Sequence, residues 1–356
     1  MVGESSAISL MRDRPVAIRA IALLLVASIC GCIAPDGIDG VARVAPPQSA
    51  LTIAPPPTGV ATGVAIDGAP LGKPGLSAWD SWTSLVGKRA LYVMWYSDWS
   101  TSFQGFAVTN AYGRGATPVI TWEMKNRRAN ISYADVLAGK WNKYIDGWAG
   151  AAKADGRPLL LRFGHEMNGD WYGWSGARNG GSLAAAQQFV ATWRYVRDRF
   201  TRAGATNVTW AWCVNAESWP NAAWNAPENY YPGDAYVDWT CADGYNWGTS
   251  QTVANGGFDS RWQSFDEVFA STYQRVTTLA PTKPFMIGEF ASSEAGGNKA
   301  AWITDAATRM RAAYPQLRGF VWFNYNKETD WRVESSAASL AAFKAAFASD
   351  PYFVWR

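Results

Sequence analysis

Two glutamates, each at the end of an apolar run, are the residues best placed to do chemistry. Glu166 lies within residues 159–174, LLLRFGHEMNGDWYGW, where an apolar run gives way to polar and aromatic residues. That change marks a buried strand delivering side chains to an open rim. Glu289 is the penultimate residue of FMIGEF, residues 285–290, a run that is otherwise wholly apolar. A charge there is costly unless it meets solvent, a partner or a substrate. Carboxylates facing each other across a cleft suit glycoside hydrolysis, one protonating the departing oxygen and the other attacking or supporting the oxocarbenium-like centre. A gap of about 5 Å gives retention of configuration, and one of about 6.5 to 9.5 Å gives inversion.

Competing chemistries fit poorly. His165 is the only histidine, so a zinc site built on paired histidines is excluded and any Ser-His-Asp triad would have to pass through it. The sequence has no Gly-x-Ser-x-Gly elbow, no cysteine cluster and no Asp-rich calcium loop. No metal and no organic cofactor is therefore expected. The 32 basic and 29 acidic residues are spread without long runs, which argues against a nucleic-acid partner. The unusual feature of the composition is tryptophan, at 21 copies. Flat amphipathic rings at strand ends suit a flat ligand face such as a sugar.

The elements that must position the two glutamates recur along residues 59–356. Apolar runs occupy residues 60–66, 90–95, 118–122, 159–163, 208–214, 237–245, 284–290 and 319–325. Helical periodicity falls between them at 141–154, 184–203, 265–279, 299–313 and 337–347. Eight strands alternating with crossovers over a domain of this size predict a closed (β/α)8 TIM barrel in the α/β class, a doubly wound open sheet being the alternative. The first strand is not followed by Gly-x-Gly-x-x-Gly, which weakens the nucleotide-binding form of that alternative. In a barrel the active site lies at the C-terminal strand ends. Strands four and seven would then set Glu166 and Glu289 across one mouth, ringed by Trp95, Tyr96, Trp122, Glu123, Asn215, Glu217, Tyr245, Trp247, Trp322 and Asn324.

Residues 1–31 read as a secretory leader, with Arg12, Arg14 and Arg19 ahead of a short apolar run at 20–29. Gly31-Cys32 is similar to a bacterial lipobox, which would put a lipid on Cys32, ordinary cleavage nearby being the alternative. Residues 32–58, rich in Pro, Ala and Gly, read as a semi-rigid tether. An exported bacterial protein is expected, secreted or held in the cell envelope by a lipid, monomeric, and touching membrane only through that anchor. Cys213 and Cys241 fall in neighbouring apolar runs; two buried thiols are preferred over a disulfide, because parallel strands rarely offer the geometry.

RFGHEMNGDWYGW with the later IGEF resembles glycoside hydrolase family 26, and the likeness extends through WRYVRDRF, NVTWAWCVN, YVDW, DGYNWG and VWFNYNKETDW. His-Glu-Met-Asn-Gly is its specific signal. The resemblance implies a retaining (β/α)8 glycosidase in which Glu166 is the acid/base and Glu289 the nucleophile. It implies that His165 orients the carboxylates, Trp171 lines the sugar site, Tyr245 hydrogen-bonds the nucleophile and Trp322 forms the platform under the sugar being cleaved. Arg162 would support the site as a buried cation or serve a purely structural ion pair. Trp95, Trp122, Trp247 and Trp331 are candidate sugar-binding walls or packing. The substrate expected first is β-1,4-mannan. The aromatic run after Asn168-Gly169 also suits a mixed-linkage β-1,3-1,4-glucanase. A non-catalytic carbohydrate-binding barrel is the reading from another class, and a pure binder has no need of two facing carboxylates.

Overall fold

Each of the eight apolar runs forms a strand. The computed structural model describes residues 52–356. Its barrel strands are β1 (Val60–Ile66), β2 (Tyr92–Asp98), β3 (Thr117–Glu123), β4 (Leu159–Phe163), β5 (Val208–Asn215), β6 (Trp239–Asn246), β7 (Phe285–Ser292) and β8 (Leu317–Asn324). All pair in parallel with the next in sequence, and β1 also pairs with β8. The sheet is thus a closed barrel, and the open doubly wound alternative is excluded.

Helices α1 (Lys73–Val86), α2 (Gly105–Gly113), α3 (Asn142–Asp155) and α4 (Leu183–Ala203) follow β1 to β4 in turn. Helices α5 (Phe265–Leu279), α6 (Lys299–Ala313) and α7 (Ala337–Phe343) follow β6, β7 and β8. Local signals set several ends. Ser264 and Glu267 form a reciprocal capping box that starts α5. Ser182 caps α4, which stops where Gly204 turns left-handed. Between β5 and β6 the described chain makes only 3-10 turns, Ala223–Asn225 and Pro227–Tyr230, where a regular eighth helical crossover was expected. Pro220, Pro227 and Pro232 interrupt that segment and leave no stretch free to hold an i to i−4 ladder.

Strand alternation sorts the side chains into two compartments. Arg162 of β4 points into the barrel, where it meets Thr121, Cys213, Asp243 and Glu289. Its neighbour Phe163 points outward onto Trp193 of α4. The outer compartment holds much of the aromatic mass, including Trp122 against Trp148 and Phe200.

Two expectations change here. Cys213 and Cys241 are joined in a disulfide, not left as two thiols. The β5–β6 register sets them directly side by side, which parallel strands achieve only when the two cysteines share one rung. The barrel also begins earlier than residue 59. The Ile53 N–H donates to Thr209 Oγ1 at 2.7 Å and the Ile53 carbonyl accepts from Trp239 Nε1 at 2.9 Å, so the last residues of the expected tether already bind the barrel floor. The leader, Cys32 and the rest of the tether up to residue 51 lie outside the described residues.

Candidate active site

Glu166 stands on a tight turn just beyond β4. Gly164 and Glu166 both have positive φ, 54° and 53°, and Arg127 is the other described non-glycine residue with that backbone. A left-handed glutamate is strained and persists only where its surroundings over-determine it. Here the Glu166 N–H donates to the Cys213 carbonyl at 2.9 Å. Asn168, fully buried, rivets the same turn to the loop after β5, accepting from the Asn215 N–H at 2.8 Å and donating to the Asn215 carbonyl at 2.9 Å. Gly169 leaves room for Trp171 to fold back, since a Cβ there would stand 2.5 Å from the indole. The indole Nε1 then donates to Glu166 Oε2 at 2.7 Å. The order His-Glu-Met-Asn-Gly thus encodes a turn, its rivet and the space for an aromatic donor.

Glu289 is held differently. Arg162 Nη1 donates to its Oε1 at 3.0 Å and the Tyr245 hydroxyl donates to its Oε2 at 2.6 Å. Arg162 is fully buried and is shared: Nη2 pairs with Asp243 Oδ2, and Nη1 also reaches Thr121 Oγ1 at 3.0 Å. Gly288 makes this arrangement possible, because a Cβ there would lie 2.5 Å from both Asp243 Oδ1 and Cys241 Sγ. One cation therefore faces two carboxylates inside the barrel, and a third, Glu166, looks onto them. Burial pushes Asp243 well above the usual carboxylate range, with Arg162 pulling it back and Glu289 adding to the rise, so the carboxylates compete for one cation. Burial first, and then the charge of Glu289, push the Glu166 carboxyl up to about 8, with the Trp171 donor and Arg162 pulling the other way. The two glutamates so sit in opposite settings: Glu289 receives donors from a cation and a phenol, whereas Glu166 is disposed to keep a proton near neutral pH.

His165 is buried beside them, its Nε2 3.1 Å from the Tyr172 hydroxyl and its Nδ1 without a hydrogen-bond partner. Burial, followed by the charges of Arg162 and Lys125, holds the imidazole well below its ordinary range and therefore neutral. His165, Asp243 and Glu289 each bring a potential ligand atom within 4.8 Å of the others. Arg162 already occupies the two carboxylates, and the thiols of a second such group, Cys213 with Cys241 and Asp243, are spent in the disulfide. Neither set is a free ligand group for a metal.

Not every expected wall residue reaches the mouth. Trp171, Tyr245 and Trp247 are partly exposed there, Trp247 packing edge-on against Trp331. Trp95, Trp122 and Trp322 are not, being 1%, 0% and 0% exposed. Each is one residue out of phase with the inward face. Trp95 donates to Gln104 at the start of α2, Trp122 packs on α3 and α4, and Trp322 packs on Phe343 of α7 and Phe290. None has a free face for a sugar, so Trp322 is not a platform. Trp331 is also buried, a prop behind Tyr245 and Trp247. The inward residues of the same strands, Tyr96 and Phe323, flank Tyr245, His165 and the mouth instead. Glu123 pairs with Lys125 at 2.9 Å, and Asn324 accepts from the Val333 N–H and donates to Glu334, both fixing loops. Glu217 is exposed on the β5 loop.

Asp243, Asn168 and Gly288 carry much of the geometry and were not singled out from the sequence. A signal existed for Asp243, which lies two residues before Tyr245 and so on the same inward face of β6. Asn168 and Gly288 act through contacts between loops and strands distant in sequence, which no local pattern announces.

The model of glycosyl hydrolase family 26 matches residues 106–308. Endoglucanase H of Acetivibrio thermocellus is 40% identical over 276 residues, which make up 77% of this chain and 29% of that protein. A mannan endo-1,4-beta-mannosidase of Bifidobacterium adolescentis is 22% identical over 269 residues, 66% of this chain and 26% of its own length. The chain thus spans under a third of either relative. Among solved structures, an endo-beta-1,4-mannanase double mutant of Cellulomonas fimi superposes with a TM-score of 0.61 at 18% identity, covering 83% of this chain and 72% of that one. At that identity the likeness speaks to the barrel alone.

Proposed function

The chain belongs to glycosyl hydrolase family 26, and on that premise we propose that it is a retaining endo-β-glycanase working by double displacement. The observation that carries the reading is the unlike treatment of two buried carboxylates. Glu289, fastened by Arg162 and Tyr245, is aimed as the nucleophile; Glu166, kept protonated by burial, is the acid. Glu289 attacks the anomeric carbon while Glu166 gives its proton to the departing glycosidic oxygen. A glycosyl-enzyme ester remains. Glu166, now charged and accepting from Trp171, takes a proton from water, which opens the ester and restores both groups. His165 stays neutral, held against Tyr96, Tyr172 and Trp174, and acts as a positioning group.

The substrate is a β-linked hexopyranose polymer. The sequence favoured β-1,4-mannan, but we place a β-1,4-containing glucan first, because the relative at 40% identity carries an endoglucanase name and the mannanase relative stands at 22%. Mannan is the second reading, supported by that relative's name. Export, a lipid on Cys32, a monomeric state and an N-terminal anchor as the sole membrane contact belong to the same proposal. The leader motif supports export and the anchor, and incorporation of labelled fatty acid lost in Cys32→Ser tests the lipid.

Product profiles on mixed-linkage glucan, mannan, xylan and cellulose, with the anomer of the first product read by NMR, test the whole. Short oligomers of one polymer released with retained configuration are expected. Inverted product, or a Glu289→Ala variant releasing as much reducing sugar as the wild type, would sink it.

A further inference from the structure

We propose that Trp219 is a stacking platform for a pyranose ring on the leaving-group side of the cleft, a subsite reached by the polymer beyond the bond that is cut. The assignment of the leaving-group side rests on the reading of Glu166 as the acid. Many of the protein's indoles are sealed in the core, but Trp219 is 48% exposed. Single exposed apolar residues are ordinary on a protein surface, so exposure by itself assigns nothing. What sets Trp219 apart is how firmly the backbone that carries its exposed ring is held, and to what.

Trp219 lies in the loop after β5, at the C-terminal mouth of the barrel. Its N–H donates to the Asn168 carbonyl at 2.8 Å. The preceding Ser218 accepts from Asn168 Nδ2 at 3.1 Å, and the carbonyl of the following Pro220 accepts from Asn225 Nδ2 at 3.0 Å. Asn225 is fully buried, and its Nδ2 donates in turn to the Asn168 carbonyl at 2.8 Å. Residues on both sides of the indole are therefore tied to Asn168, two residues from Glu166. A ring that must be presented at a fixed place has its backbone immobilised and its face left free, which reduces the ordering cost of binding.

The direction follows from the attachment. Glu289 is fastened by Arg162 of β4 and Tyr245 of β6 inside the barrel, whereas the loop bearing Trp219 is fastened to the turn of the acid. The acid stands on the side where the leaving chain departs, so a platform moving with its turn underlies that chain. The C–H face of a pyranose against a flat indole is the contact such a ring offers.

The test compares Trp219→Ala and Trp219→Phe with the wild type on polymer and on an aryl oligoglycoside, whose aryl leaving group stops short of the platform. The ratio of kcat/KM on polymer to that on the aryl substrate is expected to fall about 3- to 10-fold in Trp219→Ala, mainly through KM, and to recover partly in Trp219→Phe. An unchanged ratio, or an equal fall on both substrates, overturns the proposal. Gel retardation by the same polymer is measured in parallel on Glu289→Ala with and without Trp219→Ala, and thermal melting checks that each variant folds. Retardation weakened by Trp219→Ala in a protein whose wild type cleaves no glycan would overturn the hydrolase reading and leave the platform standing. Retardation indifferent to Trp219 overturns the platform alone.

Discussion

Replacing Trp171 by phenylalanine is expected to move the alkaline limb of the pH–activity profile upward. In the wild type the acid's carboxyl sits at about 8, raised by burial and by Glu289 and held back by the Trp171 Nε1–H, 2.7 Å from Oε2. That donor favours the charged form, so its loss makes Glu166 a weaker acid. A hydrogen bond to a charged group is worth about 1.5–3 kcal/mol and a pKa unit about 1.4 kcal/mol, so the shift is on the order of one to two units. Entry of water into the vacated space puts the expectation at the lower end, about one unit. Phenylalanine retains a ring against Tyr172, so a wall of the sugar site remains. The assay is kcat/KM from about pH 5 to about pH 10, which reports groups of the free enzyme. The overall rate will fall, since the sugar contact and the donor to the base form are both altered, but the position of the limb carries the argument. A limb that stays in place or moves to lower pH refutes both the assignment of Glu166 as the acid and the account of its tuning.

The same tuning has a cost in stability. Glu166 titrates near 4.5 when free and about 8 when folded, so the native state holds its proton more tightly, and its contribution, present below about pH 4.5, is lost as pH rises through 8. Glu166→Gln stays neutral throughout. Its Tm advantage over the wild type should therefore be larger at about pH 9 than at about pH 5, and an equal difference at both by calorimetry would remove this explanation. Gly288→Ala places a Cβ 2.5 Å from Asp243 Oδ1 and Cys241 Sγ; a loss of about 1–3 kcal/mol in denaturant unfolding is expected, with kcat reduced because Arg162 must shift. Trp322→Ala should cost about 3–5 kcal/mol of stability and leave KM unmoved, while Trp247→Ala does the reverse. A KM effect without destabilisation at Trp322 would return it to the sugar site.

The barrel was legible because its signal is repetitive. Eight apolar runs of strand length, separated by helical or polar stretches, leave few topologies, and all eight became strands. Where the pattern was weak the reading was weak too. Helices α1 and α2 passed unnoticed: α1 carries a glycine two residues after its start, and α2 is nine residues long with glycine at both ends. The crossover after β5 lacked any helical period, and it is the one whose described chain forms only 3-10 turns. The disulfide was missed because its geometry depends on the register of two strands, and the sequence of neither strand contains that register.

The site shows the same division more sharply. Glu166 and Glu289 were found because a charge ending an apolar run is anomalous in one dimension. Trp322 was misplaced, and for Trp95 and Trp122 the choice between sugar wall and packing stayed open, because proximity to a strand end was taken as enough, when the pleat decides which compartment a side chain enters. Counting by twos from Arg162 and Glu289, the inward positions of the neighbouring strands include Thr121, Asp243, Tyr245, Phe323 and Tyr96, and those residues do surround the carboxylates. Arg162 shows why the parity matters energetically. A fully buried guanidinium is sustained here by two carboxylates from β6 and β7 and a hydroxyl from β3. Its removal would leave Asp243 and Glu289 facing each other with no cation between them, and Glu166 would lose the charge that restrains its proton affinity. The inward face of this barrel is therefore one electrostatic unit, in which the structural ion pair and the tuning of the acid are the same set of contacts.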